Sequence, residues 1–124
     1  MIIDSSVLVD YFRGTKKAEE YLKTLEKIRM SRVAWMELIF GVKNKRELLL
    51  TDRQLKALGC EVIEVDEEIS QIAGRLLKKY ILQRKIGVAD SLIAATAMKF
   101  GEGLASHNRR HFASVEGLNL TIPY

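Results

Sequence analysis

The sequence predicts an α/β fold with a mainly parallel sheet of five strands. Short β-rich apolar runs alternate with segments of helical spacing, the pattern of strand–helix–strand units. No repeat, low-complexity tract or Gly/Ser/Pro-rich linker interrupts the chain, and its one proline is Pro123. At 124 residues, 48% hydrophobic and 29% charged, the chain suits a single core, so one domain over residues 1–124 is expected.

Residues 1–4 form an apolar run closing on Asp4 and Ser5, the mark of a buried strand that feeds a helix. Residues 5–13 read as that helix, stopped by Gly14. Residues 16–27 place Ala18, Tyr21, Leu22 and Leu25 at helical spacing. Residues 28–33 alternate and predict a second strand. A helix is expected over 35–43 and another from about 46 to 58, with Gly59 as its C-terminal stop. Residues 60–65 read as a third strand. Residues 66–82 form a long amphipathic helix with Ile69, Ile72, Ala73, Leu76, Leu77 and Tyr80 on one face. Residues 90–100 are apolar nearly all round, which predicts a helix packed on several sides and ended by Gly101 and Gly103. Residues 104–106 and 118–122 supply the last two strands.

In such sheets ligands bind beyond the carboxyl ends of strands, where the strand order reverses. Acidic residues fall at those places. Asp4 ends the first strand, Glu37 is expected in the first turn of the helix after the second, and Asp90 opens the apolar helix. Singly, Asp4 and Asp90 fit helix N-caps, and Glu37 fits a glutamate favoured by the helix dipole. Together they suggest chemistry. Asp4 and Asp90 sit among apolar residues, where an unpaired charge is costly. Carboxylates that converge repel one another unless a cation lies between them. Oxygen ligands suit Mg²⁺ or Mn²⁺ rather than zinc, and no Cys/His cluster has zinc-ligand spacing.

Three stretches carry a family resemblance: IIDSSVLVDYFRG, SRVAWMELIFGVKN, and IGVADSLIAATAMKFG followed by LASHNRRHF. In this order and spacing they resemble PIN domains, and among those the VapC-like toxins of toxin–antitoxin pairs. The resemblance covers essentially the whole chain. It implies a parallel sheet flanked by helices on both faces, with acidic residues meeting at one end. It gives the acidic roles to Asp4, Glu37 and Asp90, a supporting role to Ser6, and the fourth polar position to Asn108, where many relatives carry another aspartate. Ala34 stands where the family often has a Ser or Thr that caps the helix of Glu37, and Ser106 where Thr is usual. The first departure would cost about 1 kcal/mol at the helix start.

The resemblance implies a metal-dependent endoribonuclease using Mg²⁺ or Mn²⁺, restrained by a cognate antitoxin laid over a groove carrying Val7, Leu8, Tyr11 and Phe12. It also implies a homodimer, with the apolar helix segment from Trp35 to Phe40 as a candidate contact. The formal net charge of +4 favours a polyanionic partner. Arg13, Arg109 and Arg110 are the candidate phosphate contacts, extended by Lys43, Lys45, Arg46, Arg84 and Lys85. Tyr11, Phe12 and Trp35 are candidates for base stacking, although Trp35 also suits a core.

Other readings remain. His107 and His111 could cleave RNA by metal-free acid–base chemistry, but that leaves the carboxylates unexplained. A dehalogenase-type phosphatase wants Asp-x-Asp after the first strand, where this chain has Asp4-Ser5-Ser6. Neither G-x-G-x-x-G nor G-x-x-x-x-G-K-[ST] occurs. A PIN-like module that binds nucleic acid without cutting it is the non-enzyme alternative. Cys60 is the single cysteine, no apolar run reaches the ~20 residues of a membrane span, and the N-terminus has no basic leader region. A cytoplasmic location is expected.

Overall fold

The computed structural model describes residues 1–124. Five strands, β1 (Ile2–Ile3), β2 (Arg29–Ser31), β3 (Glu61–Ile63), β4 (Leu104–Ala105) and β5 (Leu120–Thr121), form one sheet in the order β3-β2-β1-β4-β5. Every neighbouring pair is parallel, with Ile2 opposite both Arg29 and Leu104. From β1 the chain steps outward to β2 and β3, then crosses back over β1 to β4 and β5. Parallel crossovers are right-handed, so the two directions of travel put helices on opposite faces. The strand order reverses between β1 and β4, and the carboxyl ends of those two strands carry the site.

The helices are α1 (Ser5–Phe12), α2 (Lys16–Lys23), α3 (Arg32–Phe40), α4 (Lys45–Ala57), α5 (Glu67–Tyr80), α6 (Val88–Phe100) and α7 (Arg109–Phe112), with a short 3-10 turn at Ile81–Gln83. The core joins the strand residues Ile2, Ile3, Met30, Leu104 and Ala105 to one stripe from each long helix. Helix α6 buries Ile93, Ala94, Ala95 and Ala97 completely. Its small side chains let α5 approach closely, and Ile69, Ala73, Leu76 and Tyr80 fill the seam. No helix is long and apolar enough to cross a membrane.

Local chemistry explains most boundaries. Asn44 caps α4 through a bond from Glu47 N–H at 2.9 Å, while the Glu47 carboxylate accepts from Lys43 N–H at 2.8 Å. The pair is a variant of the capping box, with the Glu47 carboxylate reaching the N–H of the residue before the cap instead of the cap's own. Asp66 caps α5 in the same way, accepting from Ile69 N–H at 2.8 Å. Gly101 ends α6 with φ +62°, a left-handed turn that glycine adopts without a Cβ penalty.

Several expectations require correction. Helix α3 begins at Arg32 rather than at residue 35, because Ser31 accepts from Val33 N–H at 3.1 Å and caps it. Glu37 therefore lies in the second turn. Ala34 is fully buried inside the helix, so the anticipated capping defect does not arise. Helix α6 begins at Val88 after Gly87, so Asp90 is the third helical residue and not an N-cap. Helix α2 stops at Lys23, four residues early; the Thr24 hydroxyl bonds back to Tyr21 C=O at 2.6 Å. Helix α7 was not expected, and it seats Phe112 at 1% exposure in the core. Val7 and Leu8 have no exposed surface, so they cannot meet a partner in a groove.

Candidate active site

Asp4 leaves β1 and occupies the N-cap position of α1, yet its side chain makes no capping bond. Instead its Oδ2 accepts from Ser6 Oγ at 3.2 Å and from Ser106 Oγ at 2.7 Å. Each of those hydroxyls also accepts a backbone N–H, Ser6 from His107 at 3.3 Å and Ser106 from Asn108 at 2.9 Å. The hydroxyl protons are thereby aimed at the carboxylate. Asp4 is only 5% exposed and has no cationic partner, and its Oδ1 has no protein partner at all.

Glu37 and Asp90 repeat the pattern. Ser5 Oγ donates to Glu37 Oε1 at 3.2 Å, and His111 Nδ1 lies 2.6 Å from Asp90 Oδ2. In each case the second carboxylate oxygen lacks a protein partner. Asp4, Glu37, Asp90 and Asn108 line one open cleft of about 460 Å³. Loss of hydration pushes the Glu37 carboxyl above its ordinary value, and the charges of Asp4 and Asp90 add to the shift, while the Ser5 bond opposes it. Loss of hydration also raises the Asp90 carboxyl, with Asp4 adding to the effect and His111 opposing it. Electrostatic crowding of this kind is what a bound cation relieves.

The donor set fits a hard divalent cation, being all oxygen with one unpartnered oxygen per carboxylate. The oxygens do not close around a single point in this conformation, since no three acidic or imidazole side chains form a ready coordination set. His111 holds one oxygen of Asp90 and Ser5 one oxygen of Glu37, which leaves the other oxygen of each to a cation.

The other sequence-predicted residues divide. Ser6 lies in the cleft as expected. Arg13 lines a second groove of about 440 Å³ that joins the first at Glu37 and runs between α1, α3 and α4, past Phe12, Val42 and Lys43. Arg109 and Arg110 are exposed on α7 and line neither depression. Trp35 is half-buried with the Arg32 guanidinium 4.6 Å from its ring centre, so it is not presented for stacking in the cleft.

Four residues were not anticipated in their present roles. Ser106 is fully buried and holds Asp4. Ser5 holds Glu37, and His111 holds Asp90. Asp10 is a further carboxylate in the cleft, where it accepts from Tyr124 OH at 2.6 Å and lies 3.8 Å from His107 Nε2. Sequence spacing alone marks Asp10 only weakly, as a residue about one and two-thirds turns beyond Asp4 along α1.

Comparison with known proteins gives the family and the fold. The family model for the PIN domain matches residues 1–118. Ribonuclease VapC19 of Mycobacterium tuberculosis is 35% identical over 116 residues, covering 90% of each chain. Ribonuclease VapC1 of Methanocaldococcus jannaschii is 32% identical, covering 98% of this chain and 85% of that one. Among solved structures, a toxin–antitoxin complex from Klebsiella pneumoniae superposes with a TM-score of 0.81 at 26% identity, covering 99% and 97% of the two chains. The fold is also that of VapBC2 from Rickettsia felis, bound to a DNA fragment from its promoter, with a TM-score of 0.85 at 22% identity over 97% and 96%. On the strength of the family-model match and these relatives, the chain belongs to the PIN domain family.

Proposed function

We propose that the chain is a divalent-metal-dependent endoribonuclease and the toxin of a toxin–antitoxin pair, acting as one domain over residues 1–124 in the cytoplasm. The observation that carries this reading is the cleft at the strand-order reversal. There Asp4, Glu37 and Asp90 each commit one oxygen to the protein and leave the other free. The ribonucleases to which the chain is similar supply the substrate class.

Asp4 and Asp90 would hold Mg²⁺ or Mn²⁺, with Glu37 as a further ligand or as the holder of a neighbouring water. When bound, the cation supplies Lewis acidity toward water and the scissile phosphate. The chain's own part is orientation. Ser6 and Ser106 fix the Asp4 carboxylate, Ser5 steadies Glu37, and Asn108 stands at the rim of the cleft. The second groove suits single-stranded RNA, with Arg13 and Lys43 as phosphate contacts and Phe12 as an apolar surface for a base. Arg109 and Arg110 would extend the positive field beside Asn108.

Two partners belong to the proposal. A cognate antitoxin would cover the groove bounded by Val9, Phe12, Leu38 and Val42. A second copy would cover the outer side of α3, where Met36 is 55% and Phe40 94% exposed. Expression of the chain beside an Asp90→Asn variant, followed by mapping of new RNA ends, tests the activity. New ends that depend on Asp90 are expected. Identical RNA ends in both cultures would contradict ribonuclease action.

A further inference from the structure

His111 is the imidazole that touches a proposed metal ligand, Asp90. His111 Nδ1 lies 2.6 Å from Asp90 Oδ2 and 2.8 Å from Asn108 Nδ2. One ring nitrogen cannot serve both neighbours as drawn. A carboxylate oxygen needs a donor, so Nδ1 must carry a proton, whereas an amide NH₂ would need Nδ1 to accept. The conflict disappears if the Asn108 amide presents its oxygen to the ring, an exchange that the hydrogen-bond network decides. His111 is then the donor, and both Asp90 and Asn108 accept.

The placement of His111 is secured by its neighbour. Helix α7 has only four residues, and Phe112 anchors it in the core at 1% exposure. The bond uses Oδ2 of Asp90, whose side chain is 17% exposed. Oδ1 is left as the oxygen available to the cleft shared with Asp4 and Glu37.

We propose that His111 is a positioning residue: its Nδ1–H holds Asp90 Oδ2 and so presents Oδ1 of Asp90 to the divalent cation. This inference rests on the metal-dependent reading of the cleft. Partners that orient a ligating carboxylate contribute about ten- to hundredfold to metal affinity. The role is unlike the metal-free histidine chemistry considered from the sequence, because His111 acts here only through Asp90.

Calorimetric titration of the metal-free chain with Mn²⁺ tests it without reference to catalysis. His111→Ala is expected to weaken binding about ten- to hundredfold. His111→Asn, whose amide N–H can take the place of Nδ1–H, is expected to recover most of the loss. His111→Leu, similar in bulk but without a donor, should behave like alanine and serves if the smaller side chain fails to fold. Affinity within twofold of wild type in His111→Ala or His111→Leu overturns the proposal, as does a His111→Asn variant as weak as His111→Leu. A wild-type chain that takes up no Mn²⁺ overturns the metal-site reading and this inference together. Intact wild-type binding with indifferent His111 variants overturns this inference alone.

Discussion

Ser106 donates its hydroxyl proton to Asp4 Oδ2 at 2.7 Å across 102 positions of sequence, tying the end of β4 to the end of β1. Both residues are buried, Ser106 completely. A hydrogen bond to a charged group in such a place contributes about 1.5–3 kcal/mol. Ser106→Ala should therefore lower the melting temperature by roughly 5–10 °C and weaken Mn²⁺ binding. Differential scanning calorimetry with a Mn²⁺ titration checks both. An unchanged melting temperature would show that this bond is not structural.

The raised Glu37 carboxyl makes a prediction of definite sign. Loss of hydration comes first among the causes, followed by the charge of Asp4, with Asp90 adding to it. A carboxyl raised in the folded state holds its proton more tightly there than in the unfolded chain. The metal-free fold consequently loses stability as pH rises past the ordinary carboxylate value, and the loss is complete above the raised one. Glu37→Gln removes that loss. In EDTA the variant should melt above wild type at pH 7, with the gap narrowing at pH 4. A variant that melts below wild type at pH 7 contradicts the crowding of charge in the cleft.

Asn108 lines the same cleft but adds no negative charge. Asn108→Ala should weaken cleavage less than Asp90→Ala. Asn108→Asp should keep activity and bind Mn²⁺ more tightly, since another carboxylate strengthens the attraction for a cation. Calorimetry and RNA cleavage on the variants decide. Equal damage from Asn108→Ala and Asp90→Ala would remove Asn108 from the rim and place it among the essential groups.

The cap of α3 is predicted to matter for stability and not for metal. Ser31→Ala deletes the acceptor for Val33 N–H and should cost about 1 kcal/mol, or roughly 4 °C in melting temperature. Mn²⁺ affinity should stay within twofold of wild type, because Glu37 lies a turn beyond the cap. Thermal unfolding and calorimetry on the same sample test this. A large loss of metal binding would mean that the helix start positions Glu37.

Much of this was legible in the sequence because burial leaves periodic marks. The stripe Ile69, Ala73, Leu76 and Tyr80 announced α5, and the apolar helix from Asp90 to Phe100 proved buried on several sides. The clustering of Asp4, Glu37 and Asp90 was expected from where strands end, and that of Ser6 and Asn108 only from the family resemblance. Boundaries were less legible. Ser31 is the better cap by residue type, but it lies in the alternating run 28–33 that reads as a strand, which hid the helix start. Helix α7 was hidden because four residues are too few to display a period. The bonds from Ser106, Ser5 and His111 join residues far apart in the chain, which local pattern does not record. Val7 and Leu8 were placed on a groove because apolar spacing does not reveal which side of a helix faces the core.

On the function proposed above, three carboxylates in one cleft gather a divalent cation that RNA cleavage requires. That reading is tested most directly by incubating the purified chain with RNA in Mg²⁺, then in excess EDTA, then with Mg²⁺ restored, beside Asp4→Asn. Asp4 suits the comparison because it is buried and held from two sides by Ser6 and Ser106, and a neutral amide is a poor ligand for a hard cation. Cleavage should appear with Mg²⁺, stop in EDTA, return on repletion, and be absent from Asp4→Asn under all three conditions. Cleavage that continues undiminished in EDTA, or that survives in Asp4→Asn, would contradict the account.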